Sequence, residues 1–147
     1  MQDIKKIFRN FEQMLRKTSW FQDDWEIFNR GPYLQLSKKG WYNQKQGGIH
    51  FETYIENREI KKKEFPICMH VEEDCPRQQA FMQEFLALEA DRIQSWKGYR
   101  VVGKGYRFFI RTLPLSFKNL EQRLLEEFSK LRLLETSVER TLLKLEG

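Results

Sequence analysis

Hydrophobic positions recur along this chain with two periods, and the change from one to the other lays out its elements. Over residues 2 to 17, Ile4, Ile7, Phe8, Phe11, Met14 and Leu15 return at steps of three and four, while Lys5, Lys6, Arg9 and Arg16 fall elsewhere. That spacing predicts a helix with one packing face and one basic face. Between Gly47 and Asp74 the period drops to two. Ile49, Phe51 and Ile55 alternate with His50, Glu52, Tyr54 and Glu56, and Phe65, Ile67, Met69 and Val71 alternate with Cys68, His70 and Glu72. Such alternation predicts two half-buried strands. Folded back as a hairpin turning near Glu59 to Lys61, they set His50 roughly opposite His70, with the carboxylates and the Cys68 thiol on the same polar face.

The remaining elements follow from punctuation. Gly31-Pro32 opens a strand from Tyr33 to Ser37, with Leu34 and Leu36 on one face, and Lys38-Lys39-Gly40 closes it. Trp20, Phe21, Trp25 and Phe28, between Thr18 and Arg30, fit neither period and read as a short helix or a packed connector. A second helix is expected over residues 76–97, with Pro76 in its first turn, Asp74 or Cys75 at its cap, and Gly98 as its stop. Tyr99 to Val102 and Tyr106 to Arg111 predict a second hairpin turned by Gly103-Lys104-Gly105. Strict alternation puts Arg100, Val102, Arg107, Phe109 and Arg111 on one face of it. From Phe117 onward, Leu124, Leu131, Val138 and Leu145 repeat every seven residues. A helix over 117–146 spans about 45 Å, long enough to pack on the first helix or to join two copies of the chain. The expected fold class is α+β, a mainly antiparallel sheet of about five strands faced by helices near 2–17, 76–97 and 117–146.

With 147 residues, 40% hydrophobic, 32% charged and twelve phenylalanines, the chain has material for one sizeable core and reads as a single domain. A net charge of +5 favours anionic partners, although 21 acidic residues are interspersed with 26 basic ones. The stretch from Met1 to Lys17 has no uninterrupted apolar run, so neither a secretory leader nor a membrane span is expected there. The expected location is cytoplasmic, with Cys68 and Cys75 as thiols.

Two surfaces carry candidate chemistry. Arg100, Arg107, Arg111 and Phe109, with Lys61, Lys62 and Lys63, offer cations beside an aromatic ring, which suits phosphates and stacked bases. Tyr42 and Trp41 are further stacking groups. Arginine stems covering a sheet, or paired with helix glutamates, make the same pattern. The twin His-x-Glu triplets, His50 with Glu52 and His70 with Glu72, plus Cys68, supply nitrogen, oxygen and sulfur donors for a zinc-like or iron-like ion. Cross-strand His–Glu hydrogen bonds account for them equally well. A Cys68 nucleophile with a histidine base is a further reading. No glycine-rich phosphate loop, CxxC pair or GxSxG elbow is present. The expected function is a non-catalytic binding or adaptor protein without a cofactor. Its partner would be nucleic acid or an acidic protein, and its C-terminal helix would make a homo-oligomer. The alternative is a small metal-dependent hydrolase built on the triplets.

Overall fold

Asp3 starts the first helix by accepting the Lys6 backbone amide on its carboxylate, and α1 runs from Ile4 to Arg16. Ile7, Phe8, Phe11 and Leu15 form its buried stripe. The computed structural model describes residues 3–41 and 48–146. Tyr42 therefore lies outside the described residues.

An antiparallel meander follows. β1 (Trp25–Asn29) pairs with β2 (Tyr33–Lys38), β2 with β3 (Ile49–Tyr54), and β3 with β4 (Glu64–Val71). The Thr18 to Arg30 region thus ends in a strand, where the sequence suggested a helix or connector. Its residues Trp25, Ile27 and Phe28 are too irregularly apolar to alternate, and β1 is fixed by pairing with β2 across the turn at Gly31. There the Asn29 side chain accepts the Gly31 amide, and Arg30 donates to the Tyr33 carbonyl.

The β3–β4 connection is a short helix, α2 (Asn57–Lys62), in place of the expected tight turn. Glu56 and Glu59 form a reciprocal capping box at its start, and Lys63 closes it with φ of 61°. Six residues are too few to display a helical period, so the element was invisible to pattern reading. The Lys61 to Lys63 run sits on and after this helix, exposed.

α3 (Gln78–Ser95) crosses back over the sheet, and β5 (Arg100–Lys104) and β6 (Arg107–Pro114) complete it in the order β1-β2-β3-β4-β6-β5. The α3 start is a correction. Its cap is Arg77, with φ of 57° and no side-chain cap bond, while Asp74 instead accepts the Gly48 amide at 2.7 Å. After α3 the chain turns at Gly98, where φ is +83° and a Cβ would stand 2.9 Å from Arg111 Nε. Gly98→Ala is expected to lower stability by about 1–3 kcal/mol, from left-handed strain and from displacing Arg111. An unchanged urea midpoint would contradict that.

The C-terminal segment is α4 (Leu120–Leu131), one 3-10 turn (Arg132–Leu134) and α5 (Glu135–Glu146). It is long, as expected, but its seam is used within the chain. Leu120, Leu124, Phe128, Leu131, Leu134 and Val138 are buried, and Phe11 of α1 meets Phe128 edge-to-face at 5.1 Å.

All the large helices lie on one side of the sheet. Facing them is a transverse row set by register, Leu36, Phe51, Met69, Phe109 and Val101. The first four of these are fully buried. The next row, Gln35, Glu52, Cys68, Ile110 and Arg100, points the other way. Among the described residues no helix is long and apolar enough to cross a membrane.

Candidate metal centre

Register between β3 and β4 builds the site. His50 stands directly opposite His70 and Glu52 opposite Cys68, between the helix-facing pairs Ile49–Val71 and Phe51–Met69. Glu72 lies one step beyond β4, held in line by its amide donating to the Gly48 carbonyl. His50, Glu52, His70 and Glu72 therefore share the side away from the helices. The alternation of the sequence required this, and pairing in this register makes the residues neighbours.

Four atoms of these side chains converge. Glu52 Oε1 is 2.8 Å from His50 Nε2 and 2.9 Å from His70 Nδ1, and Glu72 Oε1 is 3.4 Å from His70 Nδ1 and 4.0 Å from His50 Nε2. Tyr33 donates its hydroxyl to the same Glu52 oxygen at 3.0 Å, and Gln35 donates to Tyr33 at 2.6 Å. On the other edge of His70, Arg107 Nε–H donates to Nε2 at 3.3 Å, which assigns the His70 proton to Nδ1, facing Glu52. The Tyr106 ring meets His70 edge-on at 4.8 Å.

His50 is fully buried, and Glu52 is only 3% exposed. Burial by itself would raise the Glu52 carboxyl pKa, but hydrogen bonds from His50 and His70 and their charge outweigh it and leave the group at about 2. The site thus holds a fixed negative charge beneath two imidazoles. Glu72, with a third of its side chain exposed, closes it toward solvent. Two clefts are lined by residues bonded to the cluster. One, of about 700 Å³, is lined by Tyr54, Arg58, Lys62, Pro66 and Arg107 among others; the second, of about 430 Å³, reaches Tyr33 and Gln35. Tyr33 and Tyr54 stack between them at 6.1 Å.

No protein-family model, curated protein or solved structure matches this chain. Its functional reading rests on this geometry.

Cys68 comes to the site but does not suit a nucleophile. Burial, then the Glu52 charge, pushes its thiol pKa well above the ordinary value, and its sulfur is fully buried 3.5 Å from His70 Nε2. That nitrogen is on the edge of the ring away from the four converging atoms. Two groupings have metal-ligand spacing among the described residues, His50 with His70 and Glu72, and Glu52 with Cys68 and His70; the second is fully buried and lacks the solvent-side opening that Glu72 gives the first.

The residues grouped as a basic aromatic face are not on one face. A β-bulge in the β4–β6 pairing sets Met69 opposite Phe109 and His70 opposite Arg107, leaving Phe108 over. Phe108 and Phe109 are both fully buried, Phe108 against Phe81 and Phe85 and Phe109 against Tyr99. Phe109 therefore has no ring face to offer a base. Arg111 is on the helix side, bonded to Glu127 at 2.8 Å beneath the Tyr99 ring. Arg100 is exposed on the opposite side, and Arg107 is turned to His70. Trp41 is buried against Trp25 and Phe51.

Tyr33, Gln35 and Arg107 are members of the site that sequence reasoning did not assign to it. The first two were within reach, because they alternate with Leu34 and Leu36 and so occupy the polar face of β2. Arg107 was not, because the bulge that re-aims it has no sequence signature.

Proposed function

We propose that the protein is a small cytoplasmic metal-dependent hydrolase, with a divalent ion of the zinc or iron class held by His50, His70 and Glu72, its fourth position left to water and Glu52 beside the two histidines. The observation that carries this reading is that His50, His70 and Glu72 each offer a ligand atom within 4.8 Å of the other two, on one layer of the sheet, with Glu52 Oε1 2.8 Å from His50 Nε2 and 2.9 Å from His70 Nδ1. Donors bound tetrahedrally at about 2.0–2.1 Å lie about 3.3–3.4 Å from one another, inside that 4.8 Å limit. An ion bound there would take the place of the proton between His70 and Glu52, and Tyr33 would orient Glu52 from behind, as outer hydrogen bonds do around metal sites. Glu72 would hold the ion from the solvent side, where a bound water could reach it, and the ion would supply the chemistry of lowering that water's pKa. A binding role through the basic aromatic face loses its main support, because that face is divided between two sides of the sheet.

The test begins with metal analysis of protein made without a histidine tag, stripped with chelator and reloaded with zinc. Stoichiometric metal is expected in the wild type and background levels in His50→Ala and His70→Ala. Sub-stoichiometric metal in the wild type would sink the reading. A metal-loaded protein inactive on chromogenic phosphate and carboxylate esters would leave the ion and remove the hydrolase.

A further inference from the structure

Arg107 is an arginine without an acid. Its Nε is committed to His70, its guanidinium neighbours are Tyr54, Tyr106 and Cys68, and among the described residues no carboxylate lies within ion-pair distance of it. This sets it apart. Arg16, Arg92 and Arg111 each have a glutamate, at 2.9, 2.5 and 2.8 Å. Arg107 is also partly buried, and no carboxylate among the described residues pairs with its charge. It lines the larger cleft, and through its bond to His70 it stands one side chain from the four converging donors.

The cleft has a graded charge. Its rim carries Glu56, Arg58, Lys62 and Glu64, all exposed, whose signs cancel, and Glu59 is occupied in capping α2 by accepting the Glu56 amide at 2.9 Å. Deeper in, Tyr54 and Arg107 are partly buried and Glu59 is buried, but no ion pair joins Glu59 to Arg107, whose Nε is bonded to His70. A planar guanidinium in such a place is matched by a two-oxygen anion, which a fork of N–H groups grips more strongly and more directionally than an ammonium does.

We propose that this cleft receives an oxyanion, a phosphate or carboxylate group of the substrate, and that Arg107 is the residue that holds it. The proposal names the substrate class of the proposed hydrolase and rests on that reading for its chemistry. The binding itself needs only the cleft. An arginine fork of this kind would anchor an anionic group of the substrate on the other edge of His70 from the candidate ion and neutralise its charge. The Tyr54 ring, stacked on Tyr33, walls the same cleft and suits an apolar or aromatic portion of the ligand.

The test is calorimetric titration of the full chain with inorganic phosphate and, in a separate arm, acetate, each on chelator-stripped and on zinc-loaded protein. Either anion binding to wild type, weakened about tenfold or more in Arg107→Gln and partly restored in Arg107→Lys, is the expected result. Thermal unfolding of Arg107→Gln should show that the fold is intact, and the chelator-stripped arm reads anion binding apart from any effect of the substitution on the ion. Which anion binds more tightly identifies the group. No binding of either anion to the wild type, or equal binding by folded Arg107→Gln, would overturn the proposal. Arg107-dependent binding in a chain that holds no metal would uphold the anion site and remove the metal reading; metal without anion binding would do the reverse.

Discussion

Replacing Glu52 with glutamine is expected to weaken metal binding about tenfold or more and to lower stability of the metal-free protein by about 3 kcal/mol at neutral pH. One oxygen of this carboxylate is within hydrogen-bond distance of His50, His70 and Tyr33, at 2.8, 2.9 and 3.0 Å. An amide of the same shape carries no charge, and turning its NH2 toward those partners sets donor against donor. The rest of the effect is pH-dependent, and its sign follows from the pKa. Glu52 titrates at about 2 in the folded chain against 4.5 for the ordinary group. The unfolded chain therefore binds the proton first as pH falls. Stability from the ionised form is fully present above about pH 4.5 and is lost between there and about pH 2. A shift of this size corresponds to about 3 kcal/mol. Urea unfolding of chelator-treated wild type and Glu52→Gln at pH 7 and pH 3 reads this directly. The gap between the two should shrink at the lower pH, and a gap independent of pH would show that the Glu52 charge is not what the fold depends on.

Lys38→Ala should cost about 3 kcal/mol and loosen the C-terminal helix from the sheet. Lys38 continues the helix-facing series Leu34 and Leu36 on β2, so its stem is buried and its ammonium reaches α5. There it bonds Glu135, Glu139 at 2.7 Å and, from the loop before β1, Asp24 at 2.7 Å. Burial alone would lower the lysine pKa, but the three carboxylates outweigh it and hold the group above its ordinary 10.5. The sign here is opposite to that of Glu52. The stabilisation is present below about pH 10.5 and fades as pH rises through the higher folded value. Removing the ammonium leaves Glu135 and Glu139, one turn apart on α5, repelling each other and Asp24. Hydrogen exchange should show α5 amides losing protection well before those of β3 and β4. If α5 stays as protected as in the wild type, the ion cluster is not what docks it.

Local pattern and tertiary placement contributed differently to this protein. Alternation along β3 and β4 determined that His50, Glu52, His70 and Glu72 share a face, because successive side chains of a strand point to opposite sides whatever else the chain does. The seven-residue seam determined a long apolar C-terminal helix, and the glycines determined most of the turns. Other features were decided only in the folded molecule. β1 exists because β2 offers it a pairing edge, and α2 because Glu56 and Glu59 cap a helix too short to announce itself. The seam of α4 and α5 was consumed by α1 and α3 of the same chain, since burying it there satisfies the apolar surface that an oligomer would otherwise cover. Arg107 is the sharpest case. Simple alternation grouped it with Phe109 and Arg111, but one extra residue in β6 reverses the direction of every side chain before it relative to those after it. A period-two pattern read from sequence assumes an unbroken ladder. Where the ladder breaks depends on packing two adjacent phenylalanines against α3 and Tyr99, and that packing joins parts of the chain that only the tertiary structure brings together.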